Sequence, residues 1–325
     1  MFYYKLTKGR FPETLDKLLV ITGPTASGKS SLALHLAQIY PLEIISADSM
    51  QVYRHMDIGT DKVPKEIREQ IPHHLIDIKY PDEPWSVEEF QRRATQAIEE
   101  IQGRGRLPCV VGGTGFYIQA LLYDFPLENA PPNPELRNRL RETAQVKGNV
   151  YVHSILKGID PESYETLHPN DLKRVIRAIE YYEATKKPIS ERKRLPNKSP
   201  YDTLLLGLKW DRQQLYEKID DRVEEQFAKG LVDEVMHLFE MGYGPDLPSM
   251  QGIGYKEVGW MLYGLITESE AKNILKRNTR RYAKRQFTWF KNVDDIIWLP
   301  FGKDVPIICV VEDASREIDN WLSKQ

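Results

Sequence analysis

The sequence predicts an α/β protein: a parallel sheet flanked by helices, interrupted by an inserted all-helical domain. Three observations predict it. Short apolar runs at residues 18–22, 42–46, 107–111 and 204–208 have the length and composition of buried strands. Helical patterns lie between the first three runs, the alternation that builds a parallel sheet covered by helices. From residue 134 to 187 the pattern is helical and polar, with no strand-like run of comparable length.

The bulk numbers narrow the class. A chain of 325 residues buries a core without disulfide or metal staples. Its 41% hydrophobic and 28% charged residues are ordinary for a soluble globular protein. A net charge of -2 excludes a generally basic coat, so any nucleic-acid site must be a local patch. Cys109 and Cys309 each sit in an apolar run and read as buried, unpaired thiols. Neither an oxidising compartment nor a cysteine-held metal follows from them. No apolar run approaches the roughly 20 residues that span a bilayer, and no signal-peptide core precedes Leu18. The expectation is a cytoplasmic protein with no membrane role, and nothing demands more than a monomer.

Taken in order, the strand at residues 18–22 ends in a glycine loop and is followed by a helix carrying Leu32, Leu34, Leu36 and Ala37. The strand at 42–46 ends at Ala47-Asp48-Ser49. Ser86 is the N-cap, with Glu89 at the capping-box position, of a helix reaching about Gln102. Gly103 and Gly105 then precede the strand at 107–111, which runs into Gly112-Gly113-Thr114-Gly115. Pro126, Pro131, Pro132 and Pro134 mark one break, and residues 195–200 a second. The sheet resumes at 204–208, residues 212–291 read as helices, and late strands are expected at 296–299 and 307–311. The expected division is residues 1–125 as the first part of the core, 126–198 as the helical insertion, and 199–325 as the second part with basic C-terminal helices. There is no internal repeat.

Gly23-Pro24-Thr25-Ala26-Ser27-Gly28-Lys29-Ser30 reads G-x-x-x-x-G-K-S, between a strand and a helix as that motif requires. Glycines let backbone N–H groups close around phosphate oxygens, and the helix N-terminus adds partial positive charge. Lys29 adds a full charge, and the Ser30 hydroxyl suits Mg²⁺. The sheet is therefore P-loop NTPase-like, and its ligand is a phosphate or diphosphate; the motif does not specify ATP. A phosphoryl-transfer enzyme sets an acid at the end of a second strand to hold its metal, whereas residues 107–111 end in glycines and Thr114. The well-placed acid is Asp48. Ligands of open parallel sheets bind at the carboxyl ends of strands, so Asp48 and Thr114 should face the crevice of the loop. On local sequence alone Asp48 reads equally well as a helix N-cap.

Residues 272–291 hold eight lysines and arginines and no acid. Arg277, Arg281 and Arg285 fall at i, i+4 and i+8, as do Lys276, Arg280 and Lys284, giving two adjacent basic stripes that would track a phosphate backbone. Tyr282, Phe287, Trp289 and Phe290 are interleaved. A solvated helix with its aromatics in the core is the plainer alternative. A second basic cluster spans residues 186–198. His73 and His74 are adjacent, so on regular structure they point apart and do not read as metal ligands. Asp57 and Asp77 read as turn or capping residues as readily as site residues, and Tyr181 and Tyr182 as packing.

Asp48-Ser49-Met50-Gln51-Val52-Tyr53, Met56-Asp57-Ile58-Gly59-Thr60, Pro72-His73-His74-Leu75-Ile76-Asp77 and Gly112 to Ile118 occur in this order. His168-Pro169-Asn170-Asp171, Gly254-Tyr255-Lys256-Glu257 and Tyr282-Ala283-Lys284-Arg285-Gln286 follow. With this set, over nearly the whole chain from Leu18 to Trp298, the sequence resembles the bacterial tRNA dimethylallyltransferase family. It departs from the family pattern at Gly252 and Asp61, where alanine is usual, and at Phe116, where leucine is usual. The resemblance implies transfer of a dimethylallyl group from dimethylallyl diphosphate to N6 of adenine 37 in the tRNA anticodon stem-loop, with Mg²⁺. It implies that Asp48 accepts, or orients through, a proton of the amine, and that Thr114 and Arg222 contact the diphosphate. Ser49, Met50 and Gln51 would lie against the tRNA, as would Arg137, Lys173, Arg174 and Arg177 of the insertion. From the C-terminal part, Gln251, Gly252, Ile253, Gly254, Tyr255 and Lys256 would touch it, with Arg277, Arg281, Lys284, Arg285, Gln286 and Lys291. The rivals are a prenyltransferase acting on free adenine nucleotides, a P-loop kinase or NTPase, and a non-catalytic RNA-binding protein.

Overall fold

A computed structural model of the chain describes residues 17–123, 132–191 and 199–324. The prolines at 126 and 131, the expected domain boundaries at 125 and 198, and residues 192–198 of the second basic cluster lie outside them.

The described residues form two compact units, one from Met1–Leu122 with Ser199–Gln325 and one from Tyr123–Lys198. The larger unit begins with β1 (Lys17–Thr22), α1 (Lys29–Leu36), β2 (Leu42–Ser46), α2 (Lys65–Gln70) and the two-residue β3 (His73–His74). It continues through α3 (Val87–Gly103), β4 (Leu107–Gly112) and α4 (Gly115–Leu122). The smaller unit holds α5 (Pro134–Lys147), α6 (Asn149–Ser154), α7 (Leu156–Ile159), α8 (Pro161–Thr166) and α9 (Leu172–Thr185). The larger resumes with β5 (Asp202–Lys209), α10 (Arg212–Ala228), α11 (Leu231–Glu240), α12 (Tyr255–Leu262), α13 (Glu268–Phe290), β6 (Ile297–Pro300) and α14 (Ile307–Leu322).

All six strands are parallel, in the order β3-β2-β4-β1-β5-β6. The central strands β1, β2 and β4 are buried at every residue, which is why their sequences are predominantly apolar rather than alternating, with Lys17 and Glu43 buried against ion-pair partners. Register sets Ile21 beside Val111 and Leu206, and Ser46 beside Val111. The β1, β2 and β4 chains therefore leave the sheet side by side. On one side the strands pack with α1, α10 and α14 through Leu32, Leu36, Leu215, Ile219, Val310 and Trp321. The α3 helix starts as read: the Ser86 hydroxyl accepts from the Glu89 amide, a cap worth about 1 kcal/mol.

Residues 307–311 are not a strand. They form the start of α14, whose buried residues Val310, Val311, Ala314, Ile318 and Trp321 follow a helical period. A five-residue apolar run carries no period of its own; only the downstream spacing decides. The helix turns Cys309 outward, so it is exposed, whereas Cys109 is buried in β4 and burial pushes its thiol up.

The smaller unit has its own core, Leu136, Leu140, Val152, Leu156, Val175, Ile176 and Ile179. Its buried carboxylate Glu180 accepts from Arg137 Nε at 2.7 Å, from Arg137 Nη2 at 2.8 Å, from Arg177 Nη1 at 2.6 Å and from the Asn133 amide at 2.7 Å. Burial raises this carboxyl, but those four donors outweigh it and hold the group below its usual range. No helix among the described residues is long and apolar enough to cross a membrane.

Candidate active site

Three loops leave the carboxyl ends of β1, β2 and β4 together. The first, Gly23 to Gly28, turns into α1. Gly28 sits at φ 92 as the α1 N-cap, and a Cβ there would meet Phe301 at 2.8 Å. Ala26 holds a left-handed φ of 62, strain of the kind that clusters at ligand sites. The second loop begins at Asp48. The third begins at Gly112, where a Cβ would lie 2.3 Å from the Ala47 carbonyl oxygen; only glycine lets the second and third loops approach so closely.

The loops border a cavity of about 390 Å³, lined by Thr25, Lys29, Ser30, Asp48, Gln51, Thr60, Asp61 and Gly113. The α10 helix closes it with Lys218, Asp221, Arg222 and Glu225. Lys29 Nζ donates to the Pro24 carbonyl at 2.7 Å. Burial, helped by the nearby Arg222 charge, brings its pKa down to about 8, while Asp48 and Asp61 partly offset that. Arg222 Nη1 lies 3.4 Å from Thr25 Oγ1 and 3.3 Å from Asp61 Oδ2. Asp48 Oδ1 accepts from the Met50 and Gln51 amides, at 2.8 and 3.3 Å. Asp48 thus caps a turn and also faces the cavity, and its Oδ2 makes no hydrogen bond to the described residues. Thr114 Oγ1 is buried close to the Tyr282 hydroxyl, without a well-formed hydrogen bond, and the cavity wall beside it is formed by Gly113.

The Met56–Asp61 segment is pinned from behind. Glu234 accepts from the amides of Asp57, Ile58 and Gly59 at 2.8, 2.7 and 3.0 Å and from the Tyr255 hydroxyl at 2.7 Å. Gln226 Nε2 donates to the Ile58 and Gly59 carbonyls. Sequence reasoning missed Glu234, Gln226 and Lys218. Lys218, Asp221, Arg222 and Glu225 fall at i, i+3, i+4 and i+7, so helical spacing counted from Arg222 would have found that face. The Asp57 and Asp77 carboxylates both pair with Lys62, and Asp77 also with Arg68, in a structural cluster. His74 Nε2 lies 2.8 Å from Glu43 and His73 Nδ1 2.6 Å from the Ile71 carbonyl; no group of three metal-ligating side chains occurs among the described residues.

The expected RNA residues fall into two sets. Arg277, Arg281, Lys284, Arg285 and Lys291 are exposed and carry no ion pair to the described residues; Arg285 stacks over Tyr282 at 5.5 Å. Lys173 and Arg174 are exposed on α9, and Gln251 is exposed beside Pro245. Others are committed within the protein. Gln286 is buried, accepting from the Thr25 amide at 2.8 Å and donating to the Gly113 carbonyl at 2.8 Å, so it braces the phosphate loop instead of meeting solvent. Tyr255 is buried on Glu234, and the Gly254 amide donates to Glu257 at 2.8 Å. Arg137 and Arg177 are tied to Glu180. At Gly252 a Cβ would lie 2.5 Å from the Met50 methyl, the movable end of that side chain, and 3.1 Å from the Ser249 carbonyl oxygen. Of the second basic stripe only Lys284 is left exposed and unpaired to the described residues; Lys276 and Arg280 are committed. Lys276 pairs with Glu224 at 2.5 Å and Arg280 with Asp220, both on α10, so this stripe joins two helices.

A strand, a glycine–lysine–serine turn and a cavity lined by Lys29, Lys218 and Arg222 at the carboxyl edge of a parallel sheet define the P-loop class, here with Asp48 after β2 and no acid closing β4. Comparison with known proteins narrows this. The family described as IPP transferase matches residues 51–293, and that described as isopentenyl transferase matches residues 16–77. The chain belongs to the IPP transferase family. It is 48% identical over 299 residues to the tRNA dimethylallyltransferase of Acetivibrio thermocellus, covering 90% of this chain and 96% of the relative. The tRNA dimethylallyltransferase of Geobacillus thermodenitrificans is 46% identical over 308 residues, covering 94% and 98%. Among solved structures, the tRNA isopentenylpyrophosphate transferase of Bacillus halodurans aligns with a TM-score of 0.69 at 41% identity, over 94% of this chain and 98% of that one. A eukaryotic dimethylallyltransferase acting on tRNA aligns with a TM-score of 0.80 at 31% identity, over 94% and 79%.

Proposed function

We propose that the chain transfers a dimethylallyl group from dimethylallyl diphosphate to N6 of adenine 37 in tRNA, releasing diphosphate, and works as a cytoplasmic monomer. The observation that carries this is the shared cavity: Asp48, Lys29 and Arg222 line one space, so a proton acceptor and the cations for a diphosphate meet there.

An exocyclic adenine amine is a poor nucleophile, because its lone pair is delocalised into the ring. An allylic diphosphate compensates, since its C1–O bond lengthens into a delocalised carbocation. The N6–C1 bond forms, the C1–O bond breaks, and its electron pair goes to the diphosphate oxygen. The protein's main task is to stabilise that growing negative charge. Lys29, Arg222, the remaining loop amides and the Thr114 hydroxyl serve it; the Thr25 amide is held by Gln286 and the Ser27 amide by the Pro24 carbonyl. The proton leaves N6 to Asp48 Oδ2, while two backbone N–H bonds hold Oδ1 and fix the carboxylate plane.

The oxygen donors around Ser30 fit Mg²⁺, which binds phosphate groups through one or two protein ligands and keeps its waters. Ser30 would hold it, and when bound it supplies further positive charge to the departing diphosphate.

The target adenine must leave its stack to reach Asp48, and a loop makes that cheap. The exposed arginines of α13 would grip the RNA backbone, aided by Lys173 and Arg174 of the helical unit. The test is incubation with unmodified tRNA and labelled dimethylallyl diphosphate, followed by digestion. The expected product is N6-(dimethylallyl)adenosine. Label on AMP but not tRNA, or ATP cleavage without prenyl transfer, would refute the proposal.

A further inference from the structure

Besides Asp48, the cavity holds three acids for which the chemistry has no use: Asp221 and Glu225 on α10, and Asp61, the one that pairs with Arg222. Asp61 lies 3.3 Å from Arg222, with 60% of its side chain exposed against 21% for Arg222. It also sits within electrostatic range of Lys29 and Lys218, the other two cations lining the cavity. Its backbone cannot withdraw. Asp61 holds a left-handed φ of 54, its amide donates to the Ile58 carbonyl at 3.2 Å, and its carbonyl accepts from Gln51 at 3.5 Å. Glu234 clamps the three amides just before it. Arg222 does not depend on Asp61 for its place, since it also reaches Thr25 Oγ1.

We infer that Asp61 is a resident counter-anion of the cavity: it occupies Arg222 when no diphosphate is bound, and any diphosphate must displace it. This rests on the proposed reading of the cavity as a diphosphate site. The consequence falls unequally on substrate and product. Cleavage of the C1–O bond leaves an additional negative charge on the free diphosphate, so the cations hold the product more tightly than the ester. A fixed carboxylate opposes the more highly charged ligand more, and so favours its release. Only the side chain needs to turn, and its exposure leaves solvent to receive it.

The test is equilibrium binding of inorganic diphosphate, with and without Mg²⁺, to wild type, Asp61→Asn and Lys29→Met, each checked for an unchanged melting profile. Asparagine tolerates the left-handed backbone at this position. Asp61→Asn is expected to bind diphosphate about two- to fivefold more tightly, the equivalent of one exposed ion pair. It should also show product inhibition at correspondingly lower diphosphate concentration, with a smaller change in KM for the donor. Unchanged or weaker binding in Asp61→Asn, while Lys29→Met loses binding, overturns the inference and leaves the cavity reading intact. Weakening seen only with Mg²⁺ would make Asp61 a metal ligand, and also overturns it. Wild-type binding by Lys29→Met would overturn the cavity reading itself, and the inference with it.

Discussion

Lys29 offers a direct test of the cavity because its charge is not guaranteed at neutral pH. Burial brings its pKa to about 8, against an ordinary 10.5. Diphosphate selects the ammonium form, so binding raises the pKa. Below pH 8 the free protein already carries the proton and affinity is flat. Above pH 8 binding must take up a proton and affinity falls with pH. At pH 7 about nine in ten Lys29 side chains are charged, and at pH 9 about one in ten, which predicts about tenfold weaker binding at pH 9. Unfolding does not produce this loss. Between pH 8 and 10.5 the unfolded chain holds the extra proton, so Lys29 contributes rising stability over that window. The assay is calorimetric titration of diphosphate from pH 6.5 to 9.5 in two buffers of different ionisation heat, which counts protons taken up. Lys29→Met serves as the reference for titration of the ligand itself. A wild-type profile parallel to that of Lys29→Met, with equal proton uptake, would refute the reasoning.

Other expectations follow from the same geometry. Asp48→Ala should lower prenyl transfer by about 10²- to 10⁴-fold while tRNA binding in a filter assay stays near wild type; near-normal turnover would remove its role. Arg281→Ala and Arg285→Ala should each weaken tRNA binding and flatten its salt dependence by about 0.7–0.9 in the log–log slope, whereas Arg280→Ala, whose partner is Asp220, should leave the slope unchanged. Glu234→Ala strands three amides and should cost about 2–4 kcal/mol in denaturant unfolding, with a raised KM for the donor as the Asp61 segment loosens. Glu180 titrates low in the fold, so its contribution is present above the unfolded carboxyl range and is lost as pH falls through its folded pKa. Acid melts of Glu180→Gln should lack that component.

Much of the sheet was legible because buried parallel strands are largely apolar: residues 42–46 coincide with β2, and β1, β4 and β5 differ by a residue or two at their ends. The misread segment, 307–311, was too short to show a period, and Cys309 was misplaced with it. In the cavity, the glycine–lysine loop and Asp48 could be read because each closes a strand, and chain order alone brings those ends together. What sequence could not supply was pairing. Eight cations without an acid in residues 272–291 read as two basic stripes, but three of them, Lys272, Lys276 and Arg280, meet the counter-ions Glu224 and Asp220 on another helix, distant in sequence. Glu234 was invisible for the same reason, since its partners are backbone amides that any residue would offer.

The neighbour of β1 across one edge is β5, and Lys17 pairs with Asp202, 185 residues later. On a ribosome adding about 5–20 residues per second, that edge of β1 stays open for about 10–40 s. The smaller unit, with its own apolar core, emerges in full during the wait. Synthesis therefore delivers a finished helical body before the strand that completes the phosphate-binding sheet exists. A chain stalled near residue 200 would display an unpaired strand edge, apolar from Leu18 to Ile21, an invitation to aggregate.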